Sequence, residues 1–286
     1  MKTIPVFFTP KMVAHSLSFS PSASKPSQAV ESWRRLGLPL DFHEPTPLTR
    51  DDFARAHDAT FVREVLDRRR ENGFGNRSAQ VAASLPWTSG AMCSAARHAW
   101  HHGDAAVAPC SGFHHAGYAS TEGFCTFNGL MATAAVLHAE GATRIGIVDC
   151  DEHYGNGTDD IIEKLGHPGW VSHFTAGAKY TRPSQVKAFF KELSQVLARL
   201  ADCDVVLYQA GADPHVDDPL GGWLTTAELE QRDRLVFETL HELGVPVAWN
   251  LAGGYQVEAD GSIPKVLEIH DNTMRACADV FLSGAS

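Results

Sequence analysis

Short apolar runs alternate with longer amphipathic segments along most of the chain. Two of the runs, 145–148 and 205–208, contain only apolar residues and one glycine, which is typical of strands that helices cover on both faces. Between the runs, apolar residues recur at helical spacing, as at Phe189, Leu193 and Val196. The pattern predicts strands at 105–108, 144–149, 170–174, 205–209 and 245–250, and helices at 89–101, 128–140, 184–201 and 224–243.

The repeated order of strand and helix indicates an α/β fold built on a parallel sheet. Segment 17–27 is rich in serine and proline, and segment 72–79 carries glycines and asparagines, so both are predicted to be loops. Both are short and regular segments follow at once, so residues 1–286 are expected to form one domain. In such sheets ligands bind just beyond the carboxyl ends of the strands, which is where we expect the chemistry.

Composition narrows the class of protein. Hydrophobic residues make up 44% of the chain and charged residues 20%, as in ordinary globular proteins, and the net charge of -10 argues against nucleic-acid binding. The six cysteines form no C-x-x-C pair, which favours reduced thiols over a disulfide framework. With no signal-peptide pattern and no apolar run long enough for a bilayer, we expect a cytoplasmic protein without a membrane segment. The oligomeric state stays open, a homo-oligomer included.

The strand predicted at 144–149 runs into a cluster of metal-ligand residue types. Asp149, Asp151 and His153 lie two residues apart, so in an extended chain their side chains project from one face. Carboxylate and imidazole groups together are ligands that zinc accepts. The alternative is a strand-to-helix loop in which the aspartates only cap a helix.

The strand predicted at 205–209 leads to Asp213. An aspartate at this place is a helix cap as often as it is a ligand, and His215 and Asp217 follow as further candidates. A catalytic zinc needs three protein ligands and one open position, so Asp213 would complete a set with the preceding Asp and His pair.

Two other strand ends carry chemistry. His114 and His115 follow the strand at 105–108, and a tandem pair near a metal suggests proton transfer, because histidine titrates closest to neutrality. The strand at 245–250 runs into Gly253, Gly254 and Tyr255. The tyrosine hydroxyl could donate to a developing oxyanion, or the ring could only pack in a turn.

Taken together and in order, four segments resemble the histone deacetylase superfamily. They are GFHHAGYASTEGFCTFN (112–128), IVDCDEHYGNGT (147–158), YQAGADPHVDDPLGG (208–222) and LAGGY (251–255). The superfamily includes bacterial class II-like histone-deacetylase-like amidohydrolases and acetylpolyamine amidohydrolases. The resemblance implies an arginase/deacetylase-like three-layer α/β fold with an eight-stranded, mainly parallel sheet and a single catalytic domain over 1–286.

The resemblance also implies roles for individual residues. One zinc per chain would be held by Asp151, His153 and Asp213. The catalytic residues would be His115 as general base and acid, His114 as its electrostatic companion, Asp149 orienting His114, Asn156 orienting His115 and Tyr255 as oxyanion donor. The substrate channel would be lined by Gly123, Phe124 and Tyr180.

The family pattern further implies a structural potassium ion near the backbone of Asp149 and His153 and residues around Ser172. The chain departs from the pattern at Phe113, which separates Gly112 from the two histidines. Tyr154 stands where a second histidine is common, and Ala252 replaces a glycine. These changes touch none of the implied ligands.

The function implied is a zinc-dependent deacetylase that hydrolyses the amide of acyl-lysine or a similar acylated amine. An acetylpolyamine deacetylase is the alternative. A dimanganese ureohydrolase ranks lower, because it needs a further histidine where Tyr154 stands. A non-catalytic binding protein also ranks lower, because it would be expected to have lost a ligand, His115 or Tyr255.

Overall fold

The computed structural model describes residues 2–283, so Met1 and residues 284–286 of the predicted domain lie outside the described chain. The described residues form a seven-stranded sheet in which every neighbouring pair of strands is parallel. The strands are β1 (Ile4–Phe7), β2 (Leu40–His43), β3 (Ala105–Ala108), β4 (Ile145–Asp149), β5 (Val171–Thr175), β6 (Val205–Gly211) and β7 (Val247–Ala252). Their order across the sheet is β2-β1-β3-β7-β6-β4-β5.

Helices cover both faces of this sheet. They are α1 (Lys25–Arg35), α2 (Arg50–Phe53), α3 (Ala59–Leu66), α4 (Ala79–His102), α5 (Gly129–Ala139), α6 (Asn156–Lys164), α7 (Val186–Ala198), α8 (Thr226–Glu242) and α9 (Pro264–Leu282). Among the helices of residues 2–283, none combines the length and the apolar character that a membrane crossing requires.

The core lies in two layers, one on each face of the sheet. Along β6, Val206 and Tyr208 belong to one apolar cluster, whereas Val205 and Leu207 belong to the other. The first cluster includes residues of α1, α7, α8 and α9, and the second includes residues of α2 to α6. Side chains alternate between faces because successive residues of a strand point in opposite directions. This arrangement confirms the predicted α/β class and the parallel sheet.

The prediction of eight strands is wrong, because the sheet of residues 2–283 has seven. Strand β5 lies at one edge of the sheet, and among residues 2–283 no further strand pairs with its outer side. After β5 the chain forms short 3-10 turns at Ala176–Ala178 and Pro183–Gln185 and then enters α7. The five strands and four helices predicted from the sequence are all present, with ends that differ by a few residues, except that α4 begins ten residues earlier than predicted.

The N-terminal part of the fold was not predicted as regular structure. The loop prediction for 17–27 is wrong at its end, because α1 begins at Lys25. Strands β1 and β2 pair with each other from Ile4 opposite Leu40, a contact between segments distant in sequence that no local pattern reveals.

The strand order brings the four predicted strand ends together. Strands β3, β7, β6 and β4 are consecutive neighbours and run in parallel, so their carboxyl ends meet along one edge of the sheet. Residues that are distant in sequence therefore converge on one site.

Candidate active site

The three predicted metal ligands lie together beyond the ends of β4 and β6. The ring Nδ1 of His153 is 3.2 Å from Oδ1 of Asp151 and 3.1 Å from Oδ2 of Asp213. One ligand atom from each residue lies within 4.8 Å of the others. Among residues 2–283, this is the group whose spacing suits a metal ion, and His215 and Asp217 are not part of it.

The electrostatics of this triad favour a bound cation. Both carboxylates are buried, and burial together with the charge of Asp151 raises the pKa of Asp213. The hydrogen bonds that its ring nitrogen makes to Asp151 and Asp213 raise the pKa of His153 to about 11. Two buried carboxylates that face one imidazole nitrogen form a donor set for a divalent metal such as zinc.

The backbone of the loop after β7 closes over this triad. A Cβ atom at Gly253 would lie 2.0 Å from Cγ of Asp213, and the residue has a φ of +47°, so only glycine fits. The buried side chain of Lys25, whose pKa burial lowers to about 8, donates its Nζ to the Gly253 carbonyl. Sequence reasoning missed Lys25, because it lies in the serine-rich segment predicted to be a loop.

His114 is bonded to a carboxylate. Its Nδ1 lies 2.8 Å from Oδ2 of Asp149, and its Nε2 lies 3.5 Å from Oδ1 of Asp151. Burial lowers the pKa of His114, but the charges of Asp151 and Asp149 outweigh it and raise that pKa to about 9. The short contact with the Asp149 carboxylate therefore favours the charged form of this histidine.

His115 has a neutral partner. Its Nδ1 lies 2.6 Å from Oδ1 of Asn156, and its ring stacks obliquely on that of His114 with centroids 4.0 Å apart. Burial, followed by the neighbouring charge of His114, lowers the pKa of His115. The two adjacent histidines thus have pKa values shifted in opposite directions, an arrangement that separates acid and base roles.

Tyr255 follows the glycine pair at the end of β7. Its backbone N donates to Oδ2 of Asp218 at 2.8 Å, which fixes the loop. Burial and the charges of Asp213 and Asp151 raise the pKa of Tyr255, so its hydroxyl keeps its proton. A protonated phenol beside the triad is a hydrogen-bond donor for an oxyanion.

A tight turn carries Gly123 and Phe124 to the entrance of the site. A Cβ atom at Gly123 would lie 2.5 Å from Cδ2 of His115, so the turn rests directly on that ring. The ring of Phe124 lies 5.7 Å from that of Tyr255 and 5.2 Å from that of Phe19. Phe19 is 67% exposed, and it was not predicted, because a single aromatic residue in an irregular segment gives no periodic signal.

Tyr180 lies elsewhere than predicted. Its ring is buried in the core between Phe189 and Trp223, with centroids at 5.5 and 6.0 Å, and its hydroxyl donates to Glu192. The backbone beside it, at Thr181, borders the site, but the side chain faces the core instead of the channel. The aromatic rings that contact Phe124 are those of Phe19, Phe74 and Tyr255.

An open cleft of ≈ 410 Å³ adjoins the site and is lined by His115, Glu122, Glu152, His153, Tyr154, Asn156, Gly177, Thr181 and Leu220. Sequence reasoning missed both glutamates. Burial and the charge of Asp213 raise the pKa of Glu152 to about 7, and Oε2 of Glu122 accepts a hydrogen bond from Asn156. The remaining predicted residue, Ser172, lies on β5 opposite Gly146 of β4.

Comparison with known proteins identifies the family. The model of the histone deacetylase domain matches residues 21–180 and 173–268, which together span most of the chain. An uncharacterized protein of Picosynechococcus sp. is 33% identical over 235 residues, covering 71% of this chain and 75% of that protein.

More distant relatives include acetylpolyamine amidohydrolases. That of Mycoplana ramosa is 28% identical over 52% of this chain, and the chain spans about half the length of that relative (50%). The solved HD domain of HDA15 has a TM-score of 0.77 at 19% identity, covering 99% of this chain and 90% of that one. The acetylpolyamine aminohydrolase of Burkholderia pseudomallei has a TM-score of 0.74 at 17% identity, covering 97% and 99%. The family model and the Picosynechococcus relative together establish that the chain belongs to the histone deacetylase family of hydrolases.

Proposed function

We propose that the protein is a zinc-dependent deacetylase that hydrolyses the amide of acyl-lysine or a similar acylated amine. One observation carries the proposal. Beside a triad of two carboxylates and one imidazole, His114 is paired with the Asp149 carboxylate, whereas His115 is paired with the neutral amide of Asn156. Such a pair supplies metal-assisted hydrolysis with one group that carries charge and one that exchanges protons.

Zinc would be held by Asp151, His153 and Asp213, and when bound it supplies Lewis-acid polarisation of the amide carbonyl and lowers the pKa of water. The ligand set suits this ion, because three protein ligands leave one position open for substrate. Their spacing, within 4.8 Å of one another, supports the assignment.

His115 does the proton transfer. With its Nδ1 proton bound to Asn156, the free Nε2 accepts a proton from the attacking water and later gives it to the leaving amine nitrogen. His114, whose Nδ1 lies 2.8 Å from the Asp149 carboxylate, carries a positive charge that stabilises the negative charge developing on the substrate.

Tyr255 donates its hydroxyl proton in a hydrogen bond to the carbonyl oxygen as that oxygen gains charge. The raised pKa of this phenol keeps it a donor at neutral pH. A positioned donor of this kind stabilises the transition state more than the substrate.

The aromatic entrance suits an alkyl chain. Phe124 and Phe19 meet edge to face at 5.2 Å, and Tyr255 lies beside both, so the three rings form one apolar wall against which the aliphatic stem of an acylated lysine would lie. The exposed ring of Phe19 adds apolar surface outside the channel, which favours a peptide over a small polar amine.

Acetylpolyamine hydrolysis is the second candidate. Glu122 and Glu152 line the cleft outside the site, and carboxylates there suit the further ammonium groups of a polyamine. The matches to acetylpolyamine amidohydrolases point in the same direction.

The lower-ranked alternatives have less support. A dimanganese ureohydrolase would need further ligands, but the hydroxyl of Tyr154 donates to Asp159 at 2.6 Å instead of adding a donor to the triad. A non-catalytic binding protein would not need the histidine pair with its opposed partners.

Two further parts of the proposal extend beyond the zinc site. We propose that residues 1–286 form a single catalytic domain, because two apolar clusters flank one sheet. We also propose a potassium ion near Asp149, His153 and Ser172. The buried ring of His173 lies in the same region, with its Nε2 4.0 Å from Oδ2 of Asp149. A rise in melting temperature with potassium but not with sodium would support the ion, and equal effects would remove it.

A panel of substrates tests the function. The zinc-loaded protein is assayed with acetyl-lysine peptides, acetylated putrescine and acetylated spermidine, with arginine as the ureohydrolase control. The proposal expects the highest kcat/KM on an acetyl-lysine peptide, and inhibition by a small hydroxamate. Faster turnover of an acetylpolyamine would reverse the ranking, and hydrolysis of none of the acylated amines would overturn the proposal.

A further inference from the structure

The turn that presents Phe124 also holds a carboxylate. Backbone hydrogen bonds join Glu122 and Cys125 in both directions, at 2.8 and 3.2 Å. The two residues between them have positive φ values, +53° at Gly123 and +64° at Phe124, as in a type I′ turn. Glu122 is therefore fixed by the same turn that rests on the ring of His115.

The side chain of Glu122 reaches the base through one intermediate group. Its Oε2 accepts a hydrogen bond from Nδ2 of Asn156 at 2.9 Å. Oδ1 of the same amide lies 2.6 Å from Nδ1 of His115. The three side chains thus form one chain of hydrogen bonds that ends at the imidazole.

Only one orientation of the Asn156 amide satisfies the donors and acceptors in this series of hydrogen bonds. A carboxylate only accepts hydrogen bonds, whereas an amide offers one accepting and one donating end. If the Asn156 amide turned over, its oxygen would face the Glu122 carboxylate with no hydrogen between them. The carboxylate therefore selects the orientation in which Oδ1 faces His115, and this makes Nδ1 of the neutral imidazole the protonated nitrogen.

We propose that Glu122 is a positioning residue that sets the tautomer of His115 through Asn156. The inference rests on the proposed function, in which the unprotonated Nε2 of His115 accepts the proton from water. It also explains why a neutral amide is sufficient next to the base. An aspartate in place of Asn156 has no wrong orientation, whereas an amide has one, and Glu122 excludes it.

The other role open to Glu122 is recognition of a cationic substrate, because it also lines the cleft. The two roles separate in the kinetics. A group that orients the base acts on kcat, whereas a group that binds the ammonium of a substrate acts on KM.

The experiment uses Glu122→Gln, which keeps the size of the side chain but can both donate and accept, so both amide orientations become satisfied. Glu258→Gln is the matched control, since it removes one charge from an exposed loop. Steady-state kinetics on a neutral acetyl-lysine peptide are combined with ¹⁵N NMR of the imidazole nitrogens in the protein as purified. The His115 signals are assigned by their absence from His115→Gln.

The expected result for Glu122→Gln is a fall in kcat of about tenfold, less than the 10²–10⁴ that a positioned base contributes, with KM changed less than twofold. The NMR spectra are expected to show the Nδ1-protonated tautomer in the wild type and a new Nε2-protonated population in the variant. Unchanged kcat with an unchanged tautomer, or a change in KM alone, would overturn the proposal. A wild-type protein that hydrolyses no acylated amine would instead count against the function, and the tautomer comparison would still decide the role of Glu122.

Discussion

The floor and the mouth of the site are built in different ways. The floor consists of His114, Asp149, Asp151 and Asp213, all at most 4% exposed, and each lies at the end of a strand or on the segment that follows one. The mouth consists of Phe19, Glu122, Tyr154 and Leu220, which are exposed and lie on irregular segments.

This difference separates chemistry from selection. A buried charge without a partner costs folding free energy. The charged side chains of the floor are therefore paired, as in the 2.8 Å contact of His114 with Asp149. The groups of the mouth remain solvated, and changes there cost little stability. We therefore expect floor substitutions to remove activity and mouth substitutions to alter which substrate is accepted.

The largest effect is expected at Asp213. Asp213→Ala should abolish both bound zinc and hydrolysis, because two ligands do not make a catalytic zinc site. The fold should persist, since the raised pKa of Asp213 shows that its buried charge is costly without a cation. Metal analysis and a thermal melt check this.

Asp217→Ala is the control for that experiment. Its side chain is 75% exposed and faces His215 at 3.8 Å, away from the triad. Full zinc content in Asp213→Ala, or loss of zinc in Asp217→Ala, would show that the ligand set is assigned wrongly.

Tyr255→Phe should come next. The ring and its contacts remain, and only the donor to the oxyanion is lost, so kcat should fall by roughly 10²–10³ with KM little changed. Steady-state kinetics beside a melt of the same variant measure this. Wild-type turnover at an unchanged melting temperature would reduce Tyr255 to a packing residue.

A third prediction concerns His57, which bonds the backbone just after the histidine pair. Nδ1 of His57 bonds the Gly117 carbonyl at 2.9 Å, and its Nε2 accepts from the Asn128 backbone at 3.0 Å. Burial lowers the pKa of His57 to about 4, so between about pH 6.5 and 4 the unfolded chain binds a proton that the folded one does not. The free energy of unfolding should therefore fall on acidification, by up to about 3 kcal/mol from this group.

Urea unfolding at several pH values, in the wild type and in His57→Gln, isolates that contribution. The wild type should lose more stability than the variant between pH 6.5 and 4. Parallel curves for the two proteins would assign the acid sensitivity to other groups.

The smallest effect is expected at the mouth. Phe19→Ala removes the exposed ring beside Phe124, so the substrate stem would lose apolar contact equivalent to about one buried methylene, about 0.8 kcal/mol, and KM should rise roughly fourfold. Leu243→Ala, an exposed apolar residue at the end of α8, is the control. A loss of kcat as large as that of Tyr255→Phe would erase the distinction between floor and mouth.

The same distinction explains what the sequence could predict. Asp151, His153 and Asp213 follow continuous apolar runs, and the rule for parallel sheets places such residues together. Phe19 and Glu122 lie on turns, where no periodicity says which way a side chain points. Tyr180 was assigned to the channel by the family resemblance alone, and no local pattern could place its side chain. The four-residue strands β1 and β2 were missed, because their pairing depends on contacts distant in sequence.

Reconstitution with zinc tests the central claim most directly. Metal is removed with a chelator, zinc is added back in steps, and hydrolysis of an acetyl-lysine peptide is followed at each step. The account predicts no activity in the metal-free protein and a return that reaches its plateau at one zinc per chain. Full activity without metal, or a plateau at two ions per chain, would contradict it.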